Sequence, residues 1–264
     1  MADFTEWTPR DAAANIAVPA PHDDKYSRGV LGVITGSERY PGAAVLGVEA
    51  ALRTGVGMVR YLGPAADFVL ERRPEAVTVD GEVQAWLIGS GMDDSDSDRA
   101  SAALAQNVPV VLDGGLIPLL SRARGPVVIT PHHGELARLL GVERAEISGD
   151  PGQWARASAD QLGVTVLLKG HTSYIAGPGV SLSTSLAPTW LATAGAGDAL
   201  AGILGALVAT HRVNDSGELA RLAATATVIH GLAAERASGG GPFTVLDLAE
   251  AIPAAITTIL GRDA

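Results

Sequence analysis

The segment ATAGAGDALAG at residues 192–202 carries the strongest structural signal in the chain. Its small residues and glycines lead into an apolar stretch that predicts a helix over residues 197–210. A turn of this kind leaves backbone N–H groups unpaired at the positive end of the helix dipole, and glycines let a phosphate approach the backbone closely. The segment therefore predicts an anion hole formed by Gly195, Ala196 and Gly197.

Asp198 lies in the first turn of this predicted helix. A carboxylate beside a phosphate site can accept the proton of a hydroxyl that attacks phosphorus. The alternative is an aspartate that only complements the helix dipole, and the spacing leaves both interpretations open. The segment is not a Walker A loop, because the chain contains no G-x-x-x-x-G-K-[ST]. It also comes too late in the chain to be a dinucleotide fingerprint.

Upstream of this segment, short apolar runs alternate with helical stretches, which predicts a mostly parallel α/β sheet covered by helices on both faces. The predicted strands are 29–35, 58–62, 85–88, 108–112, 127–130 and 164–168. The predicted helices between them are 42–54, 97–106, 134–140 and 153–162. After residue 197 the pattern is helical only, with predicted helices at 197–210, 218–238 and 245–260.

Composition excludes several classes of function. The chain has 264 residues, 47% of them apolar, and a net charge of −10, which argues against disorder and against a nucleic-acid or anionic-membrane surface as the main partner. Cysteine is absent, so disulfides, thiolate metal sites and a cysteine nucleophile are excluded. The N-terminus has no apolar signal core, and the apolar run 199–210 is shorter than the roughly 20 residues of a membrane span. We expect a cytoplasmic protein.

Several motifs occur in the order found in one family. Together with Gly195-Ala196-Gly197-Asp198, they resemble the ADP-dependent NAD(P)H-hydrate dehydratases of the ribokinase-like superfamily. The matching segments are DKYSRG at 24–29, YPGAAVL at 40–46, ALRTG at 51–55, IGSGM at 88–92, TPHHGE at 130–135 and LKG at 168–170. The resemblance implies a three-layer sandwich, with one ribokinase-like domain over 24–264 after a lead-in segment 1–23.

The resemblance also implies a reaction. In this family ADP phosphorylates the ring hydroxyl of NADHX or NADPHX, the hydrated forms of NADH and NADPH, and loss of phosphate restores NAD(P)H. AMP and phosphate are the other products. The lead-in segment leaves no room for the epimerase domain often fused before such dehydratases. We therefore expect either a separate epimerase or a longer parent chain.

Family roles can be transferred to matching positions in this sequence. Asp198 would be the catalytic base and would also contact the hydrate. Mg²⁺ would be held near Glu135 through water, and relatives suggest a homotetramer. The substrate pocket would include Ala44, Gly91 and His132, and the nucleotide site Lys169, Gly170, His171, Thr172, Ser173 and Gly197.

Some of these positions have an alternative explanation in the sequence. His132 could be a loop histidine that only satisfies backbone groups, and Lys169 could be a solvated lysine at a strand end. The family pattern Asp-Ala-Asp is replaced here by Asp113-Gly114-Gly115, and the sequence assigns this loop no role. The acidic run 93–98 lacks the glycine and glutamate of an EF-hand and predicts a solvated loop that caps the next helix.

Two other functions compete with the dehydratase. One is a kinase of a small alcohol, such as a sugar or vitamin precursor, which would share the base and the anion hole. The other is a nucleotide-binding regulatory module without turnover, for which a base at Asp198 would have no use.

Overall fold

The computed structural model describes residues 4–92, 97–213 and 215–262. Within them, nine strands form one sheet in the order β1-β9-β8-β7-β6-β5-β4-β2-β3. The strands are β1 (Thr5–Glu6), β2 (Val30–Ile34), β3 (Met58–Tyr61), β4 (Ala85–Ile88), β5 (Val110–Leu112), β6 (Val127–Ile129), β7 (Thr165–Leu168), β8 (Ser173–Gly177) and β9 (Val180–Thr184).

The six strands β2 to β7 run parallel to one another, whereas β8 is antiparallel to both β7 and β9. All six predicted strands are present, so the prediction of a mostly parallel sheet is confirmed. The β8–β9 hairpin was missed. Its two-residue loop is Pro178-Gly179, and Gly179 has a φ of +72°, as the second central residue of a type II turn requires.

Helices cover both faces of the sheet. Side chains alternate along the strands, so Leu31 and Val33 join one apolar core and Val30 and Ile34 join the other. Helices α2, α8, α9 and α10 pack on the first core, and α4, α5 and α7 on the second. The helices are α1 (Pro9–Ala13), α2 (Pro41–Thr54), α3 (Ala66–Arg72), α4 (Ser97–Leu104), α5 (His133–Leu140), α6 (Arg144–Gly149), α7 (Pro151–Leu162), α8 (Ala196–Ala209), α9 (Ser216–Ser238) and α10 (Val245–Ile259), with a 3₁₀ helix at Gly114–Arg122.

Part of the predicted lead-in segment 1–23 belongs to this fold. Strand β1 pairs in parallel with β9, at the edge of the sheet. The indole Nε1 of Trp7 donates to Thr225 Oγ1 on α9 at 3.1 Å, and Ala12 on α1 is fully buried. Residues 5–13 therefore extend the sheet and cover α9, which the sequence did not predict.

Helices α2 and α8 approach each other closely near the N-terminus of α8. A Cβ on Gly202 of α8 would lie 2.2 Å from the carbonyl oxygen of Gly47 on α2, so only glycine fits there. This contact fixes the direction in which α8 leaves the sheet and thereby places its N-terminus.

Residues 93–96 of the acidic run lie outside the described residues, so the predicted solvated loop is not tested. No helix in the described ranges is both long and apolar enough to cross a membrane.

Candidate active site

The N-terminus of α8 is open to an anion. Gly195 precedes the helix with a φ of +91°, and a Cβ there would lie 2.5 Å from Leu46 Cδ1, so glycine is required. No side chain caps this helix, and the backbone N–H groups of Gly197 and Asp198 donate to none of the described residues. Unpaired N–H groups at a helix N-terminus suit an anion, and the anion hole of Gly195, Ala196 and Gly197 remains a prediction.

Lys169 places a cation over this helix end. Lys169 follows β7, and its backbone N–H donates to Pro131 O at 2.9 Å. This bond holds the ends of β6 and β7 side by side. A Cβ on Gly197 would lie 3.3 Å from Lys169 Nζ. The ammonium therefore stands beside the free N–H groups of α8, and together they form a positively charged pocket suited to phosphate.

Asp113 holds this ammonium in place. Its Oδ1 lies 2.8 Å from Lys169 Nζ and accepts from Thr130 Oγ1 at 2.5 Å, while its Oδ2 accepts from Ser90 Oγ at 2.8 Å. Burial raises the pKa of Asp113, but Lys169 and the two hydroxyls lower it by more. The net effect is a pKa below the ordinary value, so the carboxyl stays ionised. The sequence pattern predicts no role for Asp113. The available signal was an aspartate directly after a buried strand, at the carboxyl edge of the sheet.

Asp198, the third residue of α8, has the electrostatics of a general base. Its pKa is raised to about 6, chiefly by burial and then by the charges of Asp113 and Glu135, against the lowering effect of Lys169. Burial lowers the pKa of Lys169, but the charges of Asp113 and Glu135 raise it by more, so the ammonium stays charged. A carboxylate with a pKa near neutrality is well matched to proton abstraction.

His132 and Glu135 form a capping box at the start of α5. His132 Nδ1 accepts from the N–H groups of Gly134 and Glu135 at 3.0 and 3.1 Å, and Glu135 Oε2 accepts from His132 N at 2.8 Å. The backbone-satisfying role considered for His132 is therefore present. The histidine side chain is also 58% exposed, so its other face remains available to a ligand.

A cavity of about 730 Å³ adjoins the anion hole. Its polar side includes His132, Lys169, Gly197 and the loop after β7, and its other side is mainly apolar. Of the loop residues assigned to the nucleotide, Gly170, His171 and Ser173 line the cavity, whereas Thr172 instead pairs with Ser185 through their hydroxyls at 3.0 Å.

Ala44 and Gly91 do not line this cavity. Ala44 is fully buried on α2, so its side chain offers no surface to a ligand. Gly91 has a φ of +65°, and a Cβ there would lie 2.4 Å from Ala43 Cβ, which makes it a close-approach position beside α2. Their predicted contact with the hydrate remains a prediction.

The parallel sheet, the anion hole at a late helix and the carboxylate in that helix's first turn define a ribokinase-like α/β protein. The chain belongs to the NAD(P)H-hydrate dehydratase family, whose model matches residues 31–253.

Relatives and solved structures agree with this assignment. The chain is 41% identical over 223 residues to the bifunctional NAD(P)H-hydrate repair enzyme of Mycobacterium tuberculosis, covering 79% of this chain and 46% of that protein. It is 35% identical over 220 residues to the ADP-dependent (S)-NAD(P)H-hydrate dehydratase of Xanthomonas campestris, covering 73% and 76%. The chain thus spans about half the length of its bifunctional relatives.

The fold matches that of the ADP/ATP-dependent NAD(P)H-hydrate dehydratase from Bacillus subtilis, co-crystallised with ATP/Mg²⁺. The TM-score is 0.88 at 24% identity, over 98% of this chain and 100% of that one. At this identity the likeness establishes the fold.

Proposed function

We propose that the chain dehydrates NADHX and NADPHX to NADH and NADPH at the expense of ADP, releasing AMP and phosphate. The observation that carries the proposal is the placement of Asp198, a base with a pKa of about 6, in the first turn of a helix whose free N–H groups and neighbouring Lys169 form an anion site. Membership of the dehydratase family supports this substrate class.

In this proposal the diphosphate of ADP binds between the N-terminus of α8 and Lys169. The N–H groups of Gly197 and Asp198 and the ammonium would stabilise the negative charge that develops on the transferred phosphoryl group. The loop 169–173 and the apolar cavity behind it would hold the nucleoside part.

Asp198 would take the proton from the ring hydroxyl of the hydrate. The hydroxyl oxygen then bonds to the β-phosphorus, and the bond from that phosphorus to AMP breaks. In the second half of the reaction the C–O bond to the new phosphate ester breaks, a proton leaves the neighbouring carbon, and the ring double bond returns. The water of hydration leaves as part of the phosphate, so the overall reaction balances.

Mg²⁺ fits this site only as an ion held mainly by phosphates. The described residues contain no group of three or more His, Asp or Glu side chains that could hold a metal. Glu135 commits Oε2 to the capping box, which leaves Oε1 to contact the ion through water, as the sequence predicts. A bound Mg²⁺ would neutralise charge on the phosphates. A homotetramer remains a prediction.

The proposal is tested by incubating the protein with NADHX, Mg²⁺ and either ADP or ATP. Recovery of the NADH absorbance band together with stoichiometric free phosphate is the expected result. A kinase of a small alcohol would instead yield a stable phosphorylated product and no free phosphate, and a regulatory module would bind nucleotide without consuming it. Either outcome would overturn the proposal.

A further inference from the structure

The inner wall of the 730 Å³ cavity carries a buried polar group that the proposed reaction does not use. This wall is formed by α9 and β9, beside the first turns of α8. Thr227 and His230, three residues apart on α9, face the same side of that helix and both line the cavity. The surrounding surface is apolar and includes Leu186, Leu191 and Leu200.

The two threonine hydroxyls on this wall have no proton left for a ligand. Thr184 Oγ1 donates to Thr227 Oγ1 at 2.9 Å, and Thr227 Oγ1 donates to Ala224 O at 2.7 Å. Each hydroxyl has a single proton, so what Thr184 can still offer is a lone pair. This part of the wall therefore accepts hydrogen bonds.

His230 is 93% buried, since only 7% of its surface is exposed. Its Nε2 has no hydrogen-bond partner among the described residues, and a buried polar atom without a partner carries a free-energy cost unless a ligand satisfies it. The pKa of His230 is lowered to about 4, chiefly by burial and also by Lys169, although a hydrogen bond with the Ala196 backbone raises it, so the ring is neutral at physiological pH. With its single N–H directed to that backbone, the other ring nitrogen offers a lone pair. A neutral imidazole is suited to an uncharged ligand group rather than to phosphate.

We infer that His230, together with Thr184, recognises the amino-bearing edge of an adenine base through hydrogen-bond acceptors. The apolar residues of the cavity would enclose the faces of the base, and the exocyclic amino group would donate to the lone pairs on the wall. A hypoxanthine or guanine base carries a carbonyl at that position, which would face the same lone pairs unfavourably. The inference rests on the proposed use of ADP and adds a residue that selects the base.

The test compares ADP with inosine diphosphate, which differs only at this edge of the base, with a carbonyl at C6 and a hydrogen at N1. Dissociation constants for both nucleotides are measured by calorimetry for the wild type and for His230→Leu. The wild type should bind ADP at least about tenfold more tightly than inosine diphosphate. The variant should lose about threefold to tenfold in ADP affinity, with inosine diphosphate affinity within twofold of the wild type.

A matched control is His211→Leu, the same change at a histidine whose Nδ1 contacts Leu207 O and which does not line the cavity. This control should bind both nucleotides as the wild type does. Thermal melting of both variants monitors folding. If His230→Leu unfolds at too low a temperature for titration, His230→Gln is used, and it should also reduce the preference for ADP over inosine diphosphate.

Three outcomes would overturn the inference. Equal weakening of both nucleotides would assign His230 to the ribose or to packing, and unchanged affinity for both nucleotides would place the base elsewhere. Absence of ADP binding to the wild type would remove the proposed function itself, which distinguishes that failure from a failure at His230.

Discussion

Lys169 Nζ lies 2.8 Å from Asp113 Oδ1 and beside Gly197, although these residues come from three separate parts of the chain. Asp113 follows β5, Lys169 follows β7, and Gly197 is the second residue of α8. The buried carboxylate orients the ammonium toward the helix N-terminus, so the cation is positioned before any anion arrives. Pre-positioned charge of this kind avoids reorganisation when the substrate binds.

Asp198→Asn should keep the fold and the affinity for ADP but lose about 10²–10⁴-fold in turnover, because the amide cannot accept the proton. Steady-state kinetics with NADHX and ADP, together with calorimetric ADP binding, check this. Asp160→Asn, at an exposed position on α7, is the matched control. Turnover within a few-fold of the wild type would remove Asp198 from the mechanism.

The same residue predicts two pH dependences. The base acts when deprotonated, so kcat/KM should fall as pH drops below about 6. Stability should show the opposite trend. The pKa of Asp198 is raised in the folded state, from 3.8 to about 6, so the folded protein loses stability as pH rises through this interval.

Asp198→Asn removes that loss. The variant should match the wild type in free energy of unfolding near pH 3.5 and exceed it at pH 7.5 by up to about 3 kcal/mol. Denaturant titrations at the two pH values measure the difference. A variant less stable than the wild type at pH 7.5 would contradict the raised pKa.

Asp113→Asn should destabilise the fold by about 3–5 kcal/mol, because Lys169 keeps its buried charge without its partner. It should also move the acidic limb of the pH–activity profile below 6, since the charge of Asp113 raises the pKa of Asp198 and Lys169 lowers it. The profile of the remaining activity is the decisive measurement. A purely structural role for Asp113 would leave the limb in place.

Gly197→Val should weaken nucleotide binding far more than thermal stability. The first side-chain carbon would lie 3.3 Å from Lys169 Nζ, and the branch would occupy the space of a phosphate. Gly42→Val is a close control, because Gly42 is also the second residue of its helix and a Cβ there meets nothing within 4 Å. Calorimetry on both variants should show a raised Kd for ADP in the first alone.

His132→Ala should remove the α5 cap, which lowers the free energy of unfolding by about 1 kcal/mol and with it the melting temperature. His132→Asn should recover most of this, because asparagine is a good N-cap residue. If His132 also binds the hydrate, the alanine variant should raise the KM for NADHX, and the asparagine variant should keep that defect despite its recovered stability. Recovery of both properties would leave His132 a capping role only.

The six predicted strands and the open N-terminus of α8 could be predicted because their signals are local. Apolar strand runs, a Gly-rich turn and an aspartate in the first helical turn depend on neighbouring residues. The β8–β9 hairpin had a local signal too, in Pro178-Gly179, and could have been predicted. The motifs also sufficed to indicate the family, because the order in which they occur along the chain is specific to it.

Tertiary structure decided the rest, because those properties depend on distant segments. Strand β1 is only two residues long, and it joins the sheet by pairing with β9, which lies far from it in the sequence. Asp113 and His230 appear unremarkable in the sequence, as a strand-end aspartate and a helical histidine. The environment of each arises only when the sheet brings the ends of β5 and β7 together on either side of β6 and when α9 lines the cavity. Burial and neighbouring charges, rather than residue type, then set whether each side chain is ionised.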